Sequence, residues 1–385
     1  MKGRGSAKVW VSFILGLLLW GGASDILAKE EMVHIGCIMP LTGGAAFFGT
    51  DATHAILLAA DEINAAGGIT VAGKKYKIKI ETYDDEATPA KGVSGLKKLK
   101  DLYDIPVVIA NVSGTALAIM EINEKLGILW CGLSKHPDIT NKRNKLVLRS
   151  LEAASRDTDL LVDGAVEILK AKSFAALSDT GDYGRNATDM FSATMKARGA
   201  TYQGAEWFDM RKDTDFRVQI TKIKAKNPDT VFIAAYDEAT AQVIKQCREL
   251  GLTVPLVLTV GFQQKGEEIT GPKNIEGCLS IYSISRWDPE PKAVTNYKAN
   301  YLKKFNTQPA AYGQNNYELL YIIARGMEKA GTVTDALKIQ AGMRAAVPIE
   351  EEHRTYAIRK FTDNGDAISE RSIGIYRNGK LVKAK

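Results

Sequence analysis

Residues 33–89 read VHIGCIMPLTGGAAFFGTDATHAILLAADEINAAGGITVAGKKYKIKIETYDDEATP, and they carry the strongest fold signal in the chain. The apolar run at 33–39 predicts a buried strand, and a Gly-rich loop over 41–49 follows it. A helical pattern then continues to 64–68, where Asn and Gly tolerate the left-handed backbone that ends a helix. The alternating segment 76–83 predicts a second strand. Strand, loop, helix and strand form the unit of a parallel α/β sheet, which binds ligands at the carboxyl ends of its strands.

Three motifs in this stretch carry a family resemblance. PLTGxxAxxG, then DEINAAGGI on the helix and YDDxxxP after the second strand, resemble the start of the type I periplasmic binding proteins. More narrowly, the chain is similar to the branched-chain amino acid binding branch that feeds ABC importers, and the similarity extends through most of its length. The resemblance implies an α/β fold of two lobes, each a parallel sheet flanked by helices, with a ligand cleft between the lobes and three crossovers.

The N-terminus predicts an export signal over residues 1–28. Lys2, Arg4 and Lys8 form a basic region, and the apolar run at 9–20 is shorter than the ~20 residues that a membrane span needs. An uncleaved membrane anchor is the alternative. We therefore expect a periplasmic protein, which the resemblance further predicts to be a monomer.

The rest of the chain is long enough for two domains. From the resemblance, we expect an N-terminal lobe of residues 29–150 plus 284–368 and a C-terminal lobe of residues 151–283 plus 369–385. Two independent, sequential domains are the alternative, but a Pro- or Gly-rich linker between them is lacking.

Three local predictions concern the later elements. A helix is expected from the polar loop at 111–115 to Lys125, and an extended segment is expected over 356–360. Asn378 and Gly379 predict a hairpin turn, because both residue types adopt the positive φ angles that such a turn requires.

The sequence lacks three common catalytic, metal-binding and phosphate-binding motifs. GxSxG, HExxH and P-loop patterns do not occur, so we predict no catalytic residues and no cofactor. The four histidines are His34, His54, His136 and His353. None of them is at the spacing of metal ligands, so no metal is expected. Asp84 and Asp85 are adjacent on an extended segment and point to opposite faces, so we expect them to bond nearby backbone.

Bulk charge and cysteine spacing exclude two further classes of site. The formal net charge of +6 is spread in mixed runs, unlike the clustered basic patch of a nucleic-acid-binding protein. The four cysteines are too widely spaced for a CxxC motif, and we expect all of them to be free thiols.

The resemblance assigns the first lobe's ligand contacts. In amino acid binding relatives a loop serine grips the ligand carboxylate, and Ser113 falls on that position. Thr115, in the same loop, is a further candidate ligand contact, and Ser113 or Thr115 can also cap the helix that follows. Ser134 aligns with a residue that offers its backbone carbonyl. A second hydroxyl contact falls near His136, for which an exposed loop histidine is the alternative.

Aromatic residues are expected on both sides of the cleft. Tyr183, in an Asp-Tyr-Gly sequence, and Tyr236, after a strand, match tyrosines that close over the ligand in relatives. Phe48 follows Phe47 at a place where relatives often have a tyrosine. These rings predict a more aromatic and less polar wall.

The main departure from the family is a missing charge. Amino acid binders hold the α-ammonium with a Glu at the position of Val260, and Phe262 ends the same segment as a further candidate wall residue. Asp237 or Glu238 could replace that Glu. Because a buried ammonium without a charged partner is costly, the sequence favours a hydrophobic or aromatic organic carboxylate, delivered to an ABC permease. The alternatives are a branched-chain or other amino acid binding protein of the same importer class, or a ligand-sensing receptor domain.

Overall fold

A computed structural model describes residues 1, 31–141, 144–152, 154–259, 262, 264–284, 289–369 and 371–384. Residues 31–385 form one compact unit. The expected export signal lies outside the described residues, apart from Met1. Within the described part of the chain, no helix combines the length and the apolar character needed to cross a membrane.

The first sheet has six strands in the order β2-β3-β1-β4-β5-β6. All neighbours pair in parallel except β2 with β3. Its strands are β1 Glu31–Met39, β2 Ile69–Val71, β3 Lys74–Asp84, β4 Val107–Ala110, β5 Leu129–Gly132 and β6 Val147–Arg149. Its strands β4 and β5 are buried throughout, as expected for a parallel sheet covered on both faces.

The second sheet has seven strands in the order β15-β14-β11-β10-β9-β7-β8. Its strands are β7 Ser173–Asp179, β8 Thr201–Phe208, β9 Thr230–Ala234, β10 Leu256–Leu258, β11 Leu279–Ser283, β14 Arg371–Arg377 and β15 Lys380–Lys383. The last two are antiparallel to their neighbours. A small antiparallel pair consists of β12 Lys360–Phe361 and β13 Ala367–Ile368.

Helices flank both sheets. They are α1 Ala46–Ala65, α2 Pro89–Tyr103, α3 Ser113–Met120, α4 Asp138–Asn141, α5 Ala154–Asp163, α6 Asp182–Ala197, α7 Arg217–Lys226, α8 Asp237–Glu249, α9 Gln264–Thr270, α10 Pro272–Ile275, α11 Lys292–Phe305, α12 Ala311–Ala330 and α13 Ala336–Ala346. A π-helical turn, Gly164–Ile168, extends α5, and Glu351–His353 is a 3-10 turn. The predicted two-lobed α/β fold is confirmed.

The chain returns to the first lobe after β11, because α12 packs against α1 in one apolar core. It then returns to the second sheet at β14. This path agrees with discontinuous lobes, although the lobe boundaries given above stay a prediction.

Two local predictions are corrected. Helix α3 ends at Met120 and not at Lys125, because turns occupy 121–127. The extended segment 356–360 does not form a strand over its length. Its N–H groups at Tyr356, Ala357 and Ile358 donate to the buried Glu318 carboxylate, which takes the place of a strand partner. The predicted hairpin at Asn378 and Gly379 is confirmed, with φ of 51° and 75° between β14 and β15.

Candidate functional site

The two lobes touch along the rim of the cleft. A Cβ atom on Gly44, in the loop before α1, would lie 2.2 Å from the Met210 carbonyl oxygen of the second lobe. A Cβ on Gly114, in α3, would lie 2.8 Å from a carboxylate oxygen of Asp182 at the start of α6. Glycine at these positions lets the Met210 backbone and the Asp182 side chain approach the first lobe closely.

A small cavity lies between the lobes, at the carboxyl ends of the parallel strands. Its volume is about 30 Å³, which is room for a water molecule and less than a leucine-sized ligand occupies. It is lined by Phe48, Asn111, Ser113, Leu133, Lys135, Leu151, Tyr183, Tyr236 and Tyr312. The structure therefore brings together four of the residues predicted from sequence: Phe48, Ser113, Tyr183 and Tyr236.

An aromatic stack crosses from one lobe to the other at this cavity. The rings of Phe48 and Tyr236 are stacked with centroids 4.7 Å apart, and those of Tyr236 and Tyr183 are stacked at 5.2 Å. Tyr312, at the start of α12, meets Phe48 edge-on at 4.6 Å. Such pairs contribute about 0.5–1.5 kcal/mol beyond their buried area, so the stack favours contact between the lobes.

Ser113, at the start of α3, is one of the polar residues that line the cavity. Ser113 is 2% exposed, and its Oγ accepts a hydrogen bond from the Ser134 Oγ at 3.0 Å. Ser113 also opens α3 after Val112, whose side chain cannot cap the helix. The first N–H groups of a helix have no acceptor within it, and together with the helix dipole they favour an anion.

Lys135 brings a buried cation to the same cavity. It is 5% exposed, and its Nζ donates to the Asp157 carboxylate at 2.7 Å and to the Glu152 carbonyl at 3.0 Å. Burial, with the neighbouring Arg371 cation, lowers the pKa of the Lys135 ammonium to about 8, and Asp157 and Glu152 oppose that shift. Lys135 and Tyr183 also line a second cavity of about 30 Å³, beside Asp157 in α5.

Arg371 completes a closed network of four charges. It donates twice to Asp157, at 2.8 and 3.0 Å, and lies 2.8 Å from a Glu152 oxygen. Burial acts to raise the pKa of the Asp157 carboxyl, but the Arg371 and Lys135 cations hold it below its usual value. The two cations and two carboxylates balance, so the network adds no net charge to the cleft.

Four sequence candidates lie outside the cavity lining, and one of them, Ser134, is linked to it by the hydrogen bond that it donates to Ser113. Thr115 is fully buried, and its hydroxyl donates to Asp85. The His136 Nδ1 accepts from the Asp138 N–H at 3.2 Å, which holds the ring in its own loop. Phe262 packs within the second lobe's core, edge-on to Tyr376, and does not line the cavity. Val260 lies outside the described residues.

The two acids proposed as ammonium partners differ in position. Asp237, the first residue of α8, is 1% exposed, and one oxygen accepts from the Gly266 N–H at 2.9 Å. Burial and the nearby Asp237 charge raise the pKa of the Tyr312 hydroxyl, so this acid stands close to the cavity wall. Glu238 is half-buried, and burial raises the pKa of its carboxyl.

Asp84 and Asp85 bond nearby backbone and polar groups, as predicted from their adjacency. Asp84 accepts from the Leu41 N–H at 2.8 Å and the Glu86 N–H at 3.0 Å, which shapes the loop before α1. Asp85 accepts from the Ala87 N–H at 3.0 Å as well as from Thr115. Among the described residues, no group of three or more His, Cys, Asp or Glu side chains is arranged to hold a metal ion.

Sequence reasoning missed five lining residues: Asn111, Leu133, Lys135, Leu151 and Tyr312. Lys135 lies between Ser134 and His136, which were both predicted as ligand contacts, so its position in the same loop could have indicated it. Tyr312 had no such signal, because α12 reaches the cleft only through its packing on α1.

A family model described as periplasmic binding protein matches residues 32–371. The chain belongs to this family. The resemblance to type I periplasmic binding proteins of the branched-chain amino acid branch is thereby confirmed.

Named relatives match over nearly the whole chain. A Leu/Ile/Val-binding protein of Rhizobium johnstonii is 28% identical over 93% of this chain and 96% of its own length. A protein of Pseudomonas aeruginosa called amino acid binding protein is 27% identical over 85% of this chain and 84% of its own.

Solved structures share the fold. A leucine-binding protein of Thermotoga maritima has a TM-score of 0.78 at 24% identity and covers 91% of this chain and 97% of its own. A solute-binding protein of an R. palustris ABC transporter, in complex with benzoate, has a TM-score of 0.80 at 18% identity, and the match covers 92% of this chain and 95% of that protein. Another, from Rhodopseudomonas palustris BisB5 in complex with 3,4-dihydroxybenzoic acid, has a TM-score of 0.78 at 21% identity and covers 91% and 95%. The chain is therefore a solute-binding protein of the kind that serves ABC-type systems.

Proposed function

We propose that this protein captures a small organic carboxylate with a hydrophobic or aromatic body in the periplasm and delivers it to an ABC permease. The observation that carries the proposal is the cavity between the lobes, where Ser113 at the start of α3 faces the rings of Phe48, Tyr183 and Tyr236. One side offers a hydroxyl and helix amides to an anion, and the other offers ring faces to an apolar body.

Recognition in this proposal takes place by closure of the lobes. A ligand enters when the rings and lobes part, and closure then removes it from water between the two sets of loops. The protein makes and breaks no bond, and it acts as a monomer after its signal, residues 1–28, is removed. The lobes are residues 29–150 plus 284–368 and residues 151–283 plus 369–385.

Binding of aromatic acids by structural neighbours supports the ligand class. Two neighbours of the same fold were solved with benzoate and with 3,4-dihydroxybenzoic acid. The family resemblance further implies that Val260 stands where amino acid binders carry the Glu that holds the ammonium. An α-ammonium would then lose its water without a charged partner at that position.

An amino acid ligand is the second candidate. The named relatives bind leucine, isoleucine and valine or amino acids according to their names. The position of Asp237 favours this candidate. Its buried carboxylate lies on the second lobe close to Tyr312 and could pair with the ammonium of the ligand.

Competition calorimetry between amino acids and their deaminated analogues separates these two candidates. We expect benzoate, 4-methyl-2-oxopentanoate or 3-phenylpropanoate to bind more tightly than leucine, isoleucine, valine or phenylalanine. A thermal-shift screen of the same compounds selects the concentrations, since a ligand at a hundredfold excess over its Kd stabilises the fold by about 2.7 kcal/mol. If leucine binds at micromolar concentrations and 4-methyl-2-oxopentanoate does not, the acid proposal is wrong and the amino acid candidate replaces it.

A further inference from the structure

Lys135 is the one charged side chain among the described residues that line the cavity with Ser113. Its neighbour in sequence, Ser134, donates to the Ser113 hydroxyl, so the cation and the hydroxyl pair belong to one short loop after β5. Ser113 and Lys135 both line this one cavity of about 30 Å³, and the Lys135 ammonium lies at Asp157, 2.7 Å away. A carboxylate placed at Ser113 would therefore lie in the same cavity as the Lys135 side chain, whose ammonium could turn to it on leaving Asp157.

We propose that Lys135 is the charge partner of the ligand carboxylate and that it reaches the ligand by exchanging its present partner, Asp157. This inference rests on the proposed function, since it requires a ligand that carries a carboxylate. Lys135 of the first lobe would then select for anions, and Asp157 of α5 in the second lobe would compete with the ligand for the Lys135 ammonium.

The surrounding network lowers the free-energy cost of this exchange. When the Lys135 ammonium leaves Asp157, the carboxylate keeps two hydrogen bonds from Arg371, at 2.8 and 3.0 Å. Arg371 also keeps its contact with Glu152 at 2.8 Å. Asp157 is thus not left as an isolated buried charge, which would otherwise oppose the movement strongly.

A direct ion pair with Lys135 is what would select an anion. Lys135 and Arg371 compensate Asp157 and Glu152, so the site is neutral before a ligand arrives. A ligand carboxylate adds a negative charge that Ser113 and the α3 amides stabilise and that Lys135 contacts directly. A primary amide of the same shape would gain the hydroxyl contact but not the ion pair.

The exchange also predicts a change in proton binding. Lys135 faces Asp157, Glu152 and Arg371, and burial lowers the pKa of its ammonium to about 8. A ligand carboxylate beside Lys135 would favour the charged form and raise this pKa. At pH 8.5 the Lys135 side chain of the free protein is about one quarter protonated, so binding should take up as much as about three quarters of a proton, and affinity should fall as the pH rises above 8.

Opposite substitutions in the Lys135–Asp157 pair test the proposal. Benzoate, 4-methyl-2-oxopentanoate and leucine are titrated at pH 7 into the full protein, and benzamide is titrated as the uncharged analogue of benzoate. Lys135→Gln should weaken binding of the carboxylate about 10- to 100-fold and leave benzamide within about twofold, since one charge-assisted hydrogen bond is lost. Asp157→Asn should tighten carboxylate binding at least threefold, because it removes the competitor for Lys135.

An exposed lysine provides the matched control. Lys222 is paired with Glu206 on the surface of the second lobe, and Lys222→Gln removes the same charge without approaching the cleft. Its affinity should equal that of the wild type. Thermal unfolding of all variants separates a change in binding from loss of the fold.

Several results would overturn the proposal. If Lys135→Gln and Asp157→Asn weaken binding together, or if Asp157→Asn has no effect, the pair is a structural link and not an exchanging one. Should either variant fail to fold, wild-type calorimetry at pH 8.5 in two buffers of different ionisation enthalpy decides, and the absence of proton uptake refutes the exchange. If the wild type binds none of the three carboxylates, the proposed function itself fails.

Discussion

Two hydroxyl groups in the first turn of α3 are expected to respond in opposite ways to their removal. Ser113 lines the cavity, whereas Thr115, two residues later, is fully buried and donates to Asp85. The side chains differ little in size and share one helix. Ser113→Ala and Thr115→Val therefore compare a ligand contact with a structural contact at almost the same place.

The expected magnitudes follow from what each hydroxyl contacts. Ser113→Ala removes a donor to the ligand carboxylate, which costs about 1.5–3 kcal/mol or about 10- to 100-fold in Kd. The fold loses only the acceptor of the Ser134 hydroxyl, about 1 kcal/mol of unfolding free energy. Thr115→Val removes a hydrogen bond to a buried carboxylate, so the unfolding free energy should fall by about 1.5–3 kcal/mol with Kd nearly unchanged.

Calorimetry with whichever acid binds best, and denaturant unfolding of both variants without ligand, measure the two effects. The reasoning is refuted if Ser113→Ala leaves Kd unchanged, since Ser113 would then be a helix residue without a ligand role. It is also refuted if Thr115→Val weakens binding as strongly as Ser113→Ala, because the helix start as a whole would then be the sensitive element.

Two further predictions concern buried groups away from the ligand contacts. Asp51 accepts from the N–H groups of Ala310 and Gly313 at the start of α12, and burial raises the pKa of its carboxyl to about 7. The folded protein thus holds this proton more tightly than the unfolded chain, so stability should decline between about pH 4 and pH 7 by up to about 4 kcal/mol. Asp51→Asn should flatten that part of the curve of unfolding free energy against pH, and parallel curves would contradict the assignment. The four cysteines are Cys37, Cys131, Cys247 and Cys278. All of them should react with a thiol reagent in denaturant without reductant and resist it in the native protein, because burial raises their thiol pKa values and blocks access. Fewer than four reactive thiols in denaturant would indicate a disulfide.

Local sequence signals predicted the elements that carry the cleft. The first strand, the Gly-rich loop and α1 follow from apolar periodicity and helix-ending residues, and they place Phe48 at the cavity. The polar residues after β4 predicted the start of α3, and the family resemblance assigned Ser113, at that start, to the ligand. These features depend on residues within one strand–loop–helix unit, so the sequence pattern determines them without knowledge of the rest of the chain.

The missed features depend on residues that are distant in sequence. Lys135 owes its burial to Asp157 and Arg371, which join it from other segments of the chain. Tyr312 reaches the cavity because α12 packs on α1, a contact that no local pattern reveals. Phe262 was predicted at the wall because it ends the segment that holds Val260, but its ring packs in the core of the second lobe.

The ring stack sets a condition that the proposed ligand must meet. Because the cavity holds about 30 Å³, a ligand of eight or more heavy atoms has to separate rings that now touch, above all Phe48 and Tyr236 at 4.7 Å. Separation forfeits their interaction of about 0.5–1.5 kcal/mol. A flat aromatic acid inserted between them would gain a ring contact on each face, whereas a branched aliphatic chain of equal area would recover burial but not the ring geometry. The stack therefore favours aromatic over aliphatic acids by a margin of this order, and the comparison of benzoate with 4-methyl-2-oxopentanoate measures it.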